Sequence, residues 1–191
     1  TENNVQALFL IRGTPHSEAI LPLLAQYKLP LIAPSTGALV LHKPVNPYVF
    51  NVRATYQREA ERAIAHLSTL NVERIGVIVV NDSFGADGLE GVNRGFTATK
   101  KEPVFSLKYD RAKPDFAELV KQAQASNPQA IVFLGSGIAM AEGVKAVRTA
   151  GVRTQFVTLS NTASGGFAKL LGDYAAGAVV TQVFPAERNT S

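Results

Sequence analysis

Hydrophobic residues gather in short runs at residues 5–11, 29–33, 48–52, 75–80, 104–107, 130–134, 156–159 and 178–183. The runs are rich in Val, Ile and Phe and mostly continuous rather than alternating, the pattern of strands buried on both faces of a parallel sheet. Amphipathic helical stretches fill most of the gaps between them. Thr14-Pro15 sets a capping hydroxyl before a proline at a helix start, Thr55 precedes a helix over 56–70, and Asp115-Phe116-Ala117-Glu118 matches a capping box. Asn71, Asn127-Pro128 and Gly151 mark helix ends. In the helix over 140–150, Ala141, Val144 and Val147 or Ala146 repeat on one stripe, which faces a sheet. This alternation of strand and helix predicts an α/β, doubly wound architecture with ligand sites at the carboxyl ends of parallel strands.

A seam falls at residues 51–54, where a strand is followed by a helix whose partner strands all come later. The expected division is 1–53 as part of a first lobe, 54–184 as a second lobe, and 185–191 as the start of a return to the first. About three strands before the seam are too few for an independent open sheet, so the first lobe is expected to be completed by further sequence or by a partner.

Composition narrows the function classes. At 191 residues and 46% hydrophobic the chain can bury one good core or two modest ones. A mean hydropathy of +0.07 and the lack of an apolar run near the roughly 20 residues a bilayer requires leave no transmembrane reading. Nineteen Lys and Arg against 15 Asp and Glu give a net charge of +4, but the basic residues are scattered and form no nucleic-acid stripe. Without cysteines, disulfides, thiolate metal sites and cysteine nucleophiles are excluded. The polar opening Thr1-Glu2-Asn3-Asn4 reads as an internal start rather than a leader.

Three strand exits carry small polar residues. In Arg12-Gly13-Thr14-Pro15-His16-Ser17, hydroxyls and free amides cluster at a helix start, where an anion fits; an ordinary N-cap accounts for Thr14 equally well. Pro34-Ser35-Thr36-Gly37 repeats the theme, and two such nests on adjacent strands converge on one carboxylate. In Asn81-Asp82-Ser83-Phe84-Gly85, Asp82 is expected to cap the next helix and Phe84 to project from a loop into the crevice, over the apolar part of a ligand. His16, His42 and His66 are far apart, with no nucleophile elbow or metal-ligand spacing around them. Gly135-Ser136-Gly137 lacks the third glycine of a dinucleotide loop, so no cofactor is expected. Lys100-Lys101 and the segment 148–153 read as solvated basic helix ends.

These motifs, in order, resemble the type I periplasmic binding proteins, in the branch of the leucine/isoleucine/valine-binding proteins of ABC importers. The resemblance is carried by Gly13 and Ser17, Pro30-Leu31-Ile32-Ala33-Pro34-Ser35-Thr36, Tyr48-Val49-Phe50-Asn51-Val52-Arg53, Arg74-Ile75-Gly76-Val77, Asn81-Asp82-Ser83-Phe84-Gly85, Asp115-Phe116, Ala150-Gly151-Val152, Leu171-Gly172-Asp173 and Ala176-Gly177-Ala178-Val179-Val180. It implies one complete and one partial lobe, a small solute trapped between them without chemical change, a membrane permease as partner, and a periplasmic or extracellular location. By position it implies a ligand carboxylate on Ser17 and on Ser35, Thr36 and Gly37, and Phe84 against the ligand. Gly137 or Ile138 takes a position that is often aromatic, and Ser160 one where amino-acid binders carry an acid for the ligand ammonium. With that acid absent, aliphatic or aromatic carboxylates and amides stand beside amino acids as ligands. A ligand-sensing domain of a receptor or regulator with the same fold is the alternative.

Overall fold

The computed structural model describes residues 4–184. Its strands form two parallel sheets. β1 (Leu8–Phe9), β2 (Leu31–Ile32) and β3 (Val49–Phe50) lie in the order 1-2-3; β4 (Ile75–Val80), β5 (Phe105–Tyr109), β6 (Ala130–Leu134), β7 (Gln155–Thr158) and β8 (Ala178–Val180) lie in the order 5-4-6-7-8. The helices are α1 (Thr14–Tyr27), α2 (Tyr56–Thr69), α3 (Ser83–Thr99), α4 (Ala117–Ser126), α5 (Gly137–Thr149) and α6 (Gly165–Leu171). Each apolar run contributes one strand, and the α/β class with parallel sheets is as expected.

The five-stranded sheet holds the core. β4 and β6 are neighbours, and every residue of both is buried, which is why their sequences are unbroken apolar runs. The connection from β4 through α3 places β5 on one side of β4; the chain then passes through α4 to β6 on its other side. That reversal opens a crevice at the carboxyl ends of β4 and β6, as it does in doubly wound sheets generally.

α2 and α3 cover one flank and approach closely because α3 offers glycines where they meet. A Cβ on Gly91 would lie 2.2 Å from the Gln57 carbonyl oxygen, and one on Gly95 would lie 2.6 Å from Ile64 Cβ. The partner face of α2 buries Ala60, Ala63, Ile64 and Leu67, and Thr55 caps α2 by accepting from the Arg58 amide at 3.2 Å.

The three-stranded sheet has two residues per strand, shorter than its apolar runs. β1 and β2 end because the next residues, Leu10 (φ 53°) and Ala33 (φ 49°), turn into the left-handed region. Leu24 of α1 and Leu31 of β2 are fully buried. On the other face Phe9, Ile32 and Phe50 stand in register and exposed, so this row has no packing layer among the described residues.

Local expectations need correction at four places. α1 begins at Thr14 itself, so its cap residue is Gly13 (φ 89°), which has no side chain to cap with; the Thr14 hydroxyl is bonded to Thr36. Asp115 bonds the Ala117 amide at 2.9 Å but is not the cap residue of α4, which is Phe116. Phe84 lies inside the first turn of α3, buried edge-on against Tyr56 with centroids 4.9 Å apart, rather than on a loop. Arg148 is not simply solvated: it donates to the Ala176 carbonyl and lies 5.8 Å from the Phe156 ring centroid. Residues 185–191 lie outside the described residues.

Two stability predictions follow from this packing. Gly91→Ala sets a methyl group against backbone and is expected to destabilise the fold by about 1–3 kcal/mol, whereas Gly165→Ala, with nothing within 4 Å of its added Cβ, leaves thermal unfolding unchanged or raises its midpoint. Asp87 Oδ1 accepts from the Leu39 amide at 3.1 Å and Gln57 Nε2 at 2.8 Å, while Oδ2 has no partner. Burial raises its pKa, so the folded state favours protonated Asp87 and stability falls as pH rises above the ordinary carboxylate value. Asp87→Asn keeps the Oδ1 acceptor. It is expected to raise the melting temperature at pH 7, with the gain disappearing below about pH 3.8.

Candidate ligand-binding cleft

The strand exits of both sheets meet around one cavity of about 310 Å³, within the range of small-molecule sites. Arg12, Gly13, Thr14 and His16 enter it from the β1–α1 turn, Ser35 from the β2 exit, Phe84 from the β4 exit and Gly135, Ser136 and Gly137 from the β6 exit. Tyr56, Arg111 and Asn161 complete the wall. A second cavity of about 660 Å³ shares Arg12, Ser35 and Asn161 and extends past Arg53, Ser160, Ser164 and Phe184. The left-handed residues Leu10 and Ala33 line this second space; their backbone costs about 1–2 kcal/mol each and turns both strand ends toward the cleft. A third cavity, of about 540 Å³, lies between α2 and β7–β8, away from the strand exits, and has a mainly apolar lining.

Three helices begin at the smaller cavity. Asp82 caps α3 by accepting from the Gly85 amide at 3.1 Å, and Ser136 caps α5 by accepting from the Ala139 amide at 3.2 Å. α1 has no side-chain cap; Pro15 has no N–H and the Ser17 amide donates to the Gly13 carbonyl at 3.0 Å, so only the Thr14 and His16 amides of its first turn face a region where the helix dipole favours an anion. The glycines flanking these starts are sterically required. A Cβ on Gly85 would stand 1.8 Å from the Val80 carbonyl oxygen, and one on Gly135 would stand 2.0 Å from the Tyr109 hydroxyl. Burial raises the Tyr56 hydroxyl pKa and pushes that of Tyr109 to about 12, so both are neutral donors at physiological pH.

The floor is an ion pair. Arg53 follows β3 and Glu59 lies in the first turn of α2; Nη2 and Oε1 are 2.5 Å apart, with side chains 7% and 4% exposed. Glu59 also accepts from the Ser160 amide at 3.0 Å, the Ser160 hydroxyl at 3.0 Å and the Thr181 hydroxyl at 2.7 Å. Arg53 Nη1 donates to the Ser35 carbonyl at 2.8 Å, and its guanidinium carbon lies 4.6 Å from the Tyr56 ring centroid. One pair therefore ties the ends of β3, β7 and β8 to the loop after β2.

Among the residues expected to contact a ligand, Thr14, Ser35, Phe84 and Gly137 line the smaller cavity, and Ser35 and Ser160 line the larger. Thr36 is buried behind them, its hydroxyl 2.7 Å from that of Thr14, which joins the two loops. Ser17 is 0% exposed, its hydroxyl has no partner, and it lines neither cavity. Gly37 faces the Ala54 carbonyl oxygen, 2.7 Å from where a Cβ would stand, so it serves a close backbone approach. Ile138 is 62% exposed and lines neither space. The sequence pattern gave no weight to Arg53, Glu59, Tyr56, Arg111 or Asn161. Arg111 is held by Asp82 at 2.5 Å, and Asn161 donates to the Gly135 carbonyl at 2.9 Å.

This fold is that of the periplasmic binding proteins, and the chain belongs to that family: the family model described as periplasmic binding protein matches residues 1–191. Its solved structural neighbours include proteins described as periplasmic binding protein type 1 and as leucine-binding. It is similar to a substrate-binding periplasmic protein from Ralstonia solanacearum, with 31% identity and a TM-score of 0.86 over 96% of this chain and 52% of that one. It is likewise similar to a possible leucine/isoleucine/valine-binding protein from Rhodopirellula baltica (26%, TM-score 0.83, 96% and 51%). A branched-chain amino acid ABC transporter structure from Thermus thermophilus with bound valine shares the fold (18%, TM-score 0.81, 97% and 48%). The chain thus spans about half the length of the structures it matches. No curated protein sequence matches it.

Removing one member of a buried ion pair leaves the other uncompensated, at a cost of about 3–5 kcal/mol. Glu59→Ala and Arg53→Ala are each expected to lose that much in denaturant unfolding, and the double variant is expected to lose less than their sum. Simple additivity would show that Arg53 and Glu59 do not act as a unit.

Proposed function

We propose that this protein is the extracytoplasmic solute-binding component of an ABC importer, holding a small carboxylate or amino-acid-like ligand between two lobes that close about a hinge. In this reading residues 1–53 contribute to the first lobe and 54–184 form the second. The hinge runs through Arg53; the expected return of the chain near Pro185 lies outside the described residues. The partners are a small solute and a membrane permease, and the location is periplasmic or extracellular; among the described residues no helix is long and apolar enough to cross a membrane.

The observation that carries the proposal is the cavity itself: hydroxyls, helix-start amides and aromatic rings from both sheets face one space of about 310 Å³ at the strand carboxyl ends. Such groups hold a small polar molecule by hydrogen bonds and ring contact. Thr14 and Ser35 are the proposed polar contacts on the first lobe, with Ser17, Thr36 and Gly37 fixing their loops from behind. Phe84, Gly137 and Ile138 on α3 and α5, with Ser160 beyond them, are the proposed second-lobe side. Rotation about the Arg53 segment would narrow the space between these walls.

A thermal-shift screen of the full-length protein against amino acids, aromatic and aliphatic acids and amides tests this function. A solute at a hundred times its Kd stabilises the native state by about 2.7 kcal/mol and must raise the melting temperature. The proposal predicts at least one such solute, recovered chemically unchanged. It fails if none shifts the transition, or if the bound solute is converted.

A further inference from the structure

We propose that Asp87 is a proton-controlled catch between the two lobes: it holds the turn that follows β2 against α3, and loss of its proton favours their separation. The proposal rests on the lobe division and hinge put forward above and adds a means of regulating them. Asp87 lies in the second turn of α3 and lines neither cleft cavity. Its Oδ1 accepts from the Leu39 amide, 48 residues earlier, at 3.1 Å and from Gln57 Nε2 at 2.8 Å. Leu39 opens a 3-10 turn, Leu39–Leu41, in the first-lobe segment. Among the described residues, the other hydrogen bonds of 39–43 stay on that side. The Leu41 amide donates to Ala38, the His42 and Lys43 amides to Leu39, and Asn51 Nδ2 to the Leu41 carbonyl. Asp87 is therefore the polar tie from this turn to the second lobe.

The tie suits a protonated carboxyl. Asp87 Oδ2 is buried without a partner, and so is Oε1 of Gln57, a residue only 7% exposed. A carboxylic acid offers a primary amide both complements, an acceptor on one oxygen and a hydroxyl donor on the other. With Oδ1 taking Gln57 Nε2, a proton on Oδ2 supplies the kind of donor that Oε1 lacks. Ionised, Asp87 leaves both acceptors unmatched and a charge short of solvation. Its charged neighbours do not offset this. Glu18 of α1 acts on it with like charge, and α2 meets it with neutral Gln57. His42, after the turn, would favour the ionised form only when charged, and burial and then Arg53 push its pKa down, so it is neutral at pH 7. Burial raises the Asp87 pKa despite the two hydrogen bonds to Oδ1. The contact is thus favoured while Asp87 is protonated, and separation, which hydrates the carboxylate, is favoured as pH rises through its folded-state value. Parting one turn from one helix requires no unfolding of the core.

Resonance energy transfer in the solute-free, full-length protein tests the catch. Dyes are placed on Tyr27→Cys at the end of α1 and Lys121→Cys on α4, both exposed positions in a stretch with no cysteine of its own. With no further substitution, transfer efficiency is expected to fall as pH rises from about 4 to about 7.5. Asp87→Asn presents an acceptor and a donor at every pH and is expected to hold the high efficiency across the range. Leu39→Pro removes the donated N–H at the first position of the turn, which proline tolerates after the extended Ala38, and is expected to keep efficiency low throughout. Should Leu39→Pro not fold, Asp87→Asn decides alone. A flat pH profile without either substitution, or the same fall in Asp87→Asn, would overturn the catch and leave the receptor function standing. Failure of every solute in the thermal-shift screen would overturn the receptor function, and the catch as a control on it.

Discussion

The buried Arg53–Glu59 pair is the point on which the cleft depends. Isolated, either charge would be costly where it lies, since taking an ion out of water costs several kcal/mol even after relaxation. Here each charge is neutralised by the other, and most of the remaining hydrogen-bonding capacity is used. Glu59 takes three further donors from the ends of β7 and β8, and Arg53 takes the Ser35 carbonyl. The guanidinium also lies over Tyr56, and Tyr56 meets Phe84 edge-on. A single contact chain therefore runs from the floor of the cleft to both its walls. Through these contacts a displacement at the floor would reach Ser35 on one side and Phe84 on the other, the coupling the proposed hinge needs.

Above that floor the cleft exists because of strand order. With β4 and β6 adjacent and their connections leaving in opposite directions, the chain cannot fill the space at their carboxyl ends with its own backbone. Gly85 and Gly135 then bring the two strand exits close to neighbouring atoms that no larger residue would tolerate. The result is a cavity whose rim is built from helix starts and short side chains, and whose shape is set by backbone contacts rather than by flexible residues.

Much of this fold could be read from the residues alone. Eight apolar runs became eight strands; β4 and β6 were the plainest, because a doubly buried parallel strand has no polar face to interrupt it. Helix ends at Asn71, Asn127 and Gly151 were legible because each adopts a positive φ (56°, 42° and 83°) that Asn and Gly tolerate. The cleft was only partly legible. Strand exits rich in Ser, Thr and Gly pointed to Thr14, Ser35 and Gly137. Burial of Ser17 and Thr36 depends on α1 packing over the sheet, which no local pattern encodes. Glu59 reads as an ordinary first-turn acid of an amphipathic helix; its partners at Ser160 and Thr181 lie 101 and 122 residues away. Phe84 was misplaced on a loop because capping by Asp82 starts the helix one residue earlier than the aromatic ring.

Under the proposed receptor function, selectivity in this cleft would come from electrostatic arrangement more than from any single hydrogen bond. Hydroxyls and amides reorient to suit many small solutes, and each contributes only about 1 kcal/mol net, so they discriminate little between related ligands. Fixed charge behaves differently. The α1 start and Arg12 leave positive potential uncancelled, whereas Glu59 and Asp82 are cancelled by arginines of the same chain. Placing the neutralising arginines inside the protein lets the floor keep a carboxylate for structural use without offering it to the solute.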